Sequence, residues 1–177
     1  NHLLTKDIII PPREDQVKDT QYEGAYVKDP QLGLHNWIVS FDLNSLYPHL
    51  IMQYNISPET FVGTEPKAVG VENFLDEKLN LKWAKDRNMT IAPNGAMFKR
   101  DKQGFLPELM EKMYTERVVY KKKAIEAKIE YQKTKDPIYS NEISRCHNIQ
   151  MAKKISLNSA YGAIGNQYFR YFDVKQA

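Results

Sequence analysis

The sequence predicts a helix-rich α+β fold, with a partial sheet and a two-helix antiparallel hairpin. Three observations predict it. Two long helical runs, Pro107 to about Lys133 and Ser140 or Asn141 to about Ser159, are separated by Lys135-Asp136-Pro137, a break short enough to make an antiparallel hairpin. Short β-branched and aromatic runs stand at Trp37–Phe41 and Ala96–Lys99. The length of 177 residues, with 42% hydrophobic and 27% charged residues, suits one ordinary domain or two small ones with a sizeable core.

Taken in order, residues 1–36 are irregular, punctuated by Pro11-Pro12, the polar run Arg13 to Thr20, Gly24, Pro30 and Gly33. Trp37–Phe41 reads as a strand, and Asp42 to Ser45 as a polar turn. Ser45 is the expected N-cap of a helix from Leu46 to about Gln53, with Pro48 tolerated in its first turn. Asn55-Ile56-Ser57-Pro58 ends that helix. Val71 to Asp86 carries Phe74, Leu75, Leu79 and Trp83 at helical spacing, so a second helix is expected there. Pro93-Asn94-Gly95 is a turn that feeds Ala96–Lys99, and Asp101 to Gly104 closes that strand. Pro107 sits where a helix begins, and Leu109, Met110, Met113, Tyr114, Tyr120, Ala124 and Ile125 are its apolar positions. No internal repeat or low-complexity tract occurs.

Several classes are excluded. No apolar run approaches the roughly 20 residues that span a bilayer, and the chain opens without the basic-then-apolar order of a signal peptide. The single cysteine, Cys146, excludes an internal disulfide and a cysteine-based zinc cluster, which fits a reducing cytoplasmic setting. The net charge of +3 is unevenly spread: between Lys99 and Lys135 eleven basic residues face six acids, leaving that stretch at about +5. Such a stretch suits a polyanionic partner, although a solvated helix face laced with i,i+4 pairs has the same composition.

Three constellations carry candidate chemistry. In Ser40-Phe41-Asp42-Leu43-Asn44-Ser45-Leu46-Tyr47-Pro48 a carboxylate ends a hydrophobic run and a helix begins at once. Asp42 is suited to a hard cation such as Mg²⁺, and the amides near Ser45 to Tyr47 to phosphate oxygens. As an isolated residue, such an aspartate is an ordinary turn or cap residue. On the second hairpin helix, Lys154, Asn158 and Tyr161 stand at i, i+4 and i+7, one face carrying a cation, an amide and a phenol, followed by Gly162. On the first, Arg117 and Lys121 form an i, i+4 pair that can face Lys154 across the hairpin, three cations suited to a triphosphate.

Together these residues are specific. Asp42-Leu43-Asn44-Ser45-Leu46-Tyr47-Pro48 resembles motif A of the family B DNA polymerases, and Lys154 to Gly162, the pattern K-x-x-x-N-S-x-Y-G, resembles motif B. Asn55-Ile56-Ser57-Pro58-Glu59-Thr60, Pro93-Asn94-Gly95, Gly165-Asn166 with Phe169-Arg170-Tyr171, and Gly24 to Pro30 resemble the replicative polymerases of tailed phages. The likeness covers most of residues 20–177. It implies an approach segment at 1–36, a part of the palm at 37–105, a fingers hairpin at 106–158 and a return to the palm at 159–177.

The resemblance also implies roles. Asp42 would be one of two metal-binding aspartates, assisted by the Leu43 carbonyl, in a two-metal Mg²⁺ site. Ser45 and Leu46 would hold the incoming triphosphate through their backbone. Tyr47 would be the steric gate against a ribose 2′-OH. Arg117, Lys121 and Lys154 would bind the triphosphate, Asn158 would line the nucleotide pocket, and Tyr161 and Gly162 would lie at the nascent base pair. Two departures are local: His49 stands where the family usually has serine, and the hairpin turn is short for the phage group. The larger departure is that no Asp-x-Asp occurs, so motif C, with the second aspartate, is lacking, as is the thumb. The expectation is the nucleotide-binding half of a polymerase site, from a split subunit or a fragment, inactive alone. Its partners would be primer-template DNA, a dNTP and a polypeptide or segment that carries motif C. An incomplete palm sheet would expose an apolar edge and favour self-association or that partner. The alternative is a non-catalytic nucleotide- or DNA-binding module that uses the basic hairpin electrostatically. Retention of Tyr47, Lys154 and Asn158 weighs against it.

Overall fold

The computed structural model describes residues 3–12, 27–65, 72, 73, 76, 78, 81–173, 175 and 176. After a 3-10 turn at Leu4–Lys6 come α1 (Leu46–Tyr54), β1 (Phe61–Thr64), α2 (Lys82–Asp86), β2 (Met89–Ile91), β3 (Ala96–Lys99), α3 (Phe105–Thr134) and α4 (Pro137–Ile164). The fold is α+β and helix-rich, as the sequence predicts.

α3 and α4 form the expected hairpin, with 30 and 28 residues. Lys135 leaves α3 in a left-handed conformation at φ 59°. The cap of α4 is Asp136, ahead of the expected Ser140 or Asn141: its Oδ1 accepts from the Ile138 amide at 2.9 Å. Pro137 follows at the first helical position, where its fixed φ suits a helix and its missing N–H costs nothing. α4 outlasts its expected end at Ser159 because Leu157, Ala160 and Ile164 pack into the core.

That core lies at the base of the hairpin. Ile51 of α1, Phe105, Leu106 and Met110 of α3, and Leu157 and Ile164 of α4 are its buried members. Farther along the hairpin only the small side chains Ala127 and Cys146 are buried. The three strands form an antiparallel sheet in the order β1-β3-β2, with Phe61 opposite Phe98 and Ile91 opposite Met97. Phe98 is fully buried beneath it. A second small cluster joins Ala84 of α2 to Ile91, flanked by Trp83 and Met97. β1 and β2 were not expected from the sequence, since runs of 4 and 3 residues are too short for alternation to show.

One loop joins these parts. Residues 55–60 leave α1 and meet the start of α3, whose first amides lack intrahelical partners. Asn55 Oδ1 accepts from the Gly104 amide at 2.9 Å, Glu59 Oε1 from Phe105 at 2.6 Å, and Ser57 Oγ from Leu106 at 3.5 Å. Asn55 Nδ2 donates to the carbonyls of Lys99 and Lys102, which ties the end of β3 to the same residue. The chain's end returns here: the Tyr171 ring lies 5.3 Å from Phe105, and its hydroxyl donates to the Ile9 carbonyl at 3.2 Å. Burial, helped by the Glu59 charge, pushes the Tyr171 phenol above its ordinary value.

Two expectations fail. Trp37–Phe41 is not a strand: Trp37 has a φ of 61°, and Trp37, Ile38, Val39 and Phe41 are all 70% exposed or more. A strand exists through its ladder, and among the described residues none lies alongside. The helix expected over Val71 to Asp86 is not continuous, because residues 78 and 81 are non-helical and only Lys82–Asp86 forms α2. Phe74, Leu75 and Leu79 of that expectation lie outside the described residues, as does Gly24 to Tyr26 of the phage-like stretch.

Gly104 is where this packing tolerates least. A Cβ there would lie 2.4 Å from Ser57 Cβ and 2.9 Å from Ser57 Oγ. Gly104→Ala is therefore expected to destabilise the chain by about 2 kcal/mol or more, as overpacking does, read as a lower urea midpoint. A midpoint equal to that of the parent would show that the loop does not hold α3 as described.

Candidate functional site

The residues from Phe41 to Tyr47 lead into α1 through an unusual backbone. Ser45 occupies the N-cap position but is left-handed, with φ 54° and ψ 45°, and its side chain makes no cap bond. A non-glycine residue in that region is strained by roughly 1–3 kcal/mol and persists only where its surroundings hold it. Here they do. Its Oγ accepts from Arg117 Nη1 at 3.2 Å. Its carbonyl accepts from the His49 amide at 3.2 Å and from His49 Nδ1 at 2.8 Å, which fixes the imidazole proton on Nδ1. The His49 ring is in turn edge-on to Tyr114 of α3, with centroids 4.7 Å apart.

The hairpin is stitched beside the same place. Lys153 of α4 donates to Glu116 of α3 across the hairpin. This hydrogen bond holds the Glu116 carboxyl below its ordinary value against the opposing effect of burial, with lesser help from the Lys153 and Lys112 charges. The next residue on each helix is Arg117 and Lys154, and both line one cavity.

That cavity has a volume of about 550 Å³. Asp42, Leu43, Ser45, Leu46, Tyr47, Arg117, Lys154 and Asn158 all line it. Three stretches far apart in sequence are thereby brought together. Tyr161 joins them through Tyr47: the rings stack at 4.6 Å and 14°. Lys121 is exposed, one turn beyond Arg117 on α3, and does not line the cavity. Gly162 is helical and exposed, and a Cβ built on it meets nothing within 4 Å, so the chain's own packing does not require a glycine there.

Chemically, two cations and one carboxylate face the same space. The Arg117 Nε is buried without a hydrogen-bond partner, a guanidinium donor left over after the Ser45 bond. Such donors suit an oxyanion such as phosphate. The metal expectation fits less well. Among the described residues Asp42 is the only carboxylate lining the cavity, and no group of three His, Cys, Asp or Glu could hold a metal ion. A two-ion site needs more donors than these residues bring. The sequence did not foresee the conformation of Ser45, the part of His49 or the Glu116–Lys153 stitch. Positive φ at a serine and pairing across a hairpin have no local signature.

Comparison with known proteins places the chain in a family. A family model described as DNA polymerase family B matches residues 1–176. The chain is 28% identical over 220 residues to the DNA-directed DNA polymerase of Escherichia phage RB69, a match covering all of this chain and 24% of that one. To the DNA polymerase delta catalytic subunit of Drosophila melanogaster it is 32% identical over 166 residues, 92% of this chain and 14% of the relative. The structure of the family B DNA polymerase from the archaeon Pyrobaculum calidifontis matches with a TM-score of 0.60 and 25% identity, over 97% of this chain and 19% of that one. The chain thus spans a quarter or less of the length of these relatives. No helix among the described residues is long and apolar enough to cross a membrane.

The stitch sets a pH dependence. A carboxyl whose value is lowered on folding stabilises the fold above its unfolded value, ordinarily 4.5 for this glutamate, and the contribution drains away as pH falls through the lowered value. Acid unfolding of the parent should therefore be steeper below about pH 4.5 than that of Glu116→Gln, followed by circular dichroism. Coincident acid limbs would show that the Lys153 contact contributes nothing to folding.

Proposed function

The chain belongs to DNA polymerase family B, and from that membership we propose that it carries the nucleotide-gripping half of a DNA-directed DNA polymerase site. The observation that carries the reading is the cavity in which Asp42 to Tyr47 meets Arg117, Lys154 and Asn158. In this reading the hairpin is the fingers and the segments around Asp42 and after Tyr161 belong to the palm.

The incoming dNTP would sit with its phosphates against Arg117 and Lys154 and the backbone amides of Ser45 and Leu46. The unpartnered Arg117 Nε is a donor that such a phosphate would satisfy. Lys121 would reach the triphosphate only from the cavity's outer rim. The sugar would lie over Tyr47. The Tyr161 ring stacked behind it limits the space into which Tyr47 could yield, so a 2′-OH would meet a backed wall. Asn158 would face the base and Tyr161 the nascent pair. Mg²⁺ would neutralise and orient the phosphates when bound. Asp42 and the Leu43 carbonyl could contribute to holding it, and the remaining carboxylates would come from a segment with the Asp-x-Asp that this sequence lacks.

The completed site would catalyse template-directed attack of a primer 3′-OH on the dNTP α-phosphate, with release of pyrophosphate. The exposed run from Trp37 to Phe41 supports the need for another segment. An exposed apolar stretch offers a surface on which another segment can pack. The same surface would favour self-association when the partner is absent. A non-catalytic binding module would bind polyanions without needing Tyr47, Lys154 and Asn158 at one cavity, so this arrangement favours the polymerase reading.

Lys154→Ala is expected to weaken Mg²⁺-dependent dNTP binding about tenfold or more, since charged hydrogen bonds are worth roughly 1.5–3 kcal/mol, measured by titration calorimetry. Unchanged affinity would favour the bland binding module. Tyr47→Ala is expected to bring rNTP affinity up to that of dNTP; continued rejection of rNTP would remove Tyr47 from the gate. Primer extension should be absent with this chain alone and arise on adding a polypeptide that carries the Asp-x-Asp segment. Robust extension by the chain alone would overturn the half-site.

A further inference from the structure

Among the described residues, α3 reaches Ser45 at two points. The first is Arg117, whose Nη1 donates to Ser45 Oγ at 3.2 Å and which lines the cavity. The second runs through His49, which does not line it. His49 Nδ1 donates to the Ser45 carbonyl at 2.8 Å, four residues back along the chain. The His49 ring meets Tyr114 of α3 edge-on, with centroids 4.7 Å apart and planes at 81°.

Tyr114 and Arg117 stand at i, i+3 on α3, on one face and about 4.5 Å apart along its axis. Two attachments on one face do what one cannot. A single bond from a long, rotatable side chain fixes where Ser45 Oγ lies but leaves the turn free to swivel about it. A second hold through a ring seated on another ring adds orientation. His49 is built for both ends of that hold. A serine in its place could make the same bond to the carbonyl four residues back, as short hydroxyl side chains on helices do. It would end one bond past Cβ and leave Tyr114 without the ring it meets. The orientation matters because Ser45 is left-handed, at φ 54° and ψ 45°, and persists there only while its surroundings hold it. Leu46 and Tyr47, which follow it, line the cavity.

We propose that His49 and Tyr114 form a positioning pair for the nucleotide site. The pair orients the Ser45 turn against the helix that carries Arg117, so affinity for a nucleoside triphosphate depends on a ring contact outside the cavity. The inference deepens the nucleotide reading and rests on it. Both residues act through Ser45 rather than by touching the nucleotide. Loss of their contact lowers the fraction of chains with the turn in place, and the apparent affinity falls with that fraction.

The test is a double-mutant cycle on the full chain, read as Mg²⁺-dependent dATP affinity by titration calorimetry, with the urea midpoint of each variant measured alongside. His49→Ser keeps a donor for the Ser45 carbonyl and removes the ring. Tyr114→Leu keeps an apolar side chain and removes the partner ring. Each is expected to weaken dATP binding about threefold to tenfold, the range of an edge-to-face aromatic contact. The double variant should be no weaker than either single one, and Tyr114→Phe, which retains the ring, should recover what Tyr114→Leu loses. Lys154→Ala in the same series reads the nucleotide site itself. If Lys154→Ala binds dATP as the parent does, the nucleotide reading fails and this inference fails with it. If Lys154→Ala loses affinity while His49→Ser and Tyr114→Leu keep the parental value, the pairing alone is overturned, even where their urea midpoints fall, since packing without positioning gives that result. Losses that multiply in the double variant overturn it as well. Tyr114 also packs against the core at the hairpin base, so should Tyr114→Leu not fold, His49→Ser decides by itself: parental affinity there overturns the pairing.

Discussion

The structure depends on how the buried start of α3 satisfies its backbone. The first turn of a helix exposes amides with no partner of their own, and an unmet buried donor costs about 1–3 kcal/mol. Pro107 removes one of these donors outright, since it has no N–H. The others are met from 46 to 49 residues away, by Asn55, Ser57 and Glu59. Because Glu59 is a carboxylate, it also meets the positive end of a long helix. The same loop begins where α1 ends and holds the carbonyls at the end of β3 through Asn55. Helix, sheet and hairpin therefore share one anchor, and the direction in which α3 leaves it decides where Arg117 arrives.

From that anchor outward the hairpin relies on fewer apolar contacts. Its base is clamped by Ile51, Phe105, Leu106, Met110, Leu157 and Ile164, while its outer part buries only Ala127 and Cys146. Polar pairs take over. The Glu116–Lys153 pair falls between the base and the outer part and fixes the register of the two helices at the level of the cavity. Farther out, Glu142 accepts both Arg145 Nε and Nη2, at 2.8 and 2.7 Å, and these bonds pull its carboxyl down to about 2. Cys146, next to Arg145, is buried, and its thiol is pushed up by that burial. It is thereby a packing residue of the hairpin and a poor nucleophile. This division has a functional logic. A rigid base places Arg117 and Lys154, while the ion pairs farther out, Glu130–Lys133 and Glu142–Arg145, are exposed, lie within single helices and are each worth little.

What the sequence made legible follows from range. The two long helices announce themselves by periodicity and by the break at Lys135-Asp136-Pro137. Their contribution to the cavity follows from i, i+4 spacing: Lys154 and Asn158 share a face, and both line it. The Ala96–Lys99 strand and its Pro93-Asn94-Gly95 turn are equally local. Most of the misreadings are non-local. Trp37–Phe41 has the composition of a strand, but a ladder needs a second strand, and composition cannot supply one. β1 is anchored by the register of Phe61 against Phe98, 37 positions away, which no window of residues contains. Lys121 has the spacing to accompany Arg117, yet one turn of helix carries it past the cavity's rim. Asp136 outranks Ser140 as the cap because Pro137 accepts the first helical position, a competition between two good signals rather than a missing one.

Ser45 shows how the site draws on this architecture. A left-handed serine is unfavourable on its own by roughly 1–3 kcal/mol, and three hydrogen bonds to Arg117 and His49 hold it there. The Arg117 bond comes from α3, and His49 is braced against Tyr114 of α3. The strain is thus sustained by the same helix whose start the 55–60 loop fixes. Its consequence is directional: the reversal at Ser45 starts α1 beside the cavity, which Leu46 and Tyr47 then line, and Tyr47 comes to stack on Tyr161. A relaxed serine in the ordinary cap geometry would turn its Oγ to accept from an amide of its own helix and leave Arg117 without its partner. The Tyr47 ring and the Arg117 guanidinium are therefore coupled through a single residue, and in the proposed reading that coupling holds the nucleotide pocket ready before a nucleotide arrives, so that less ordering remains to oppose binding.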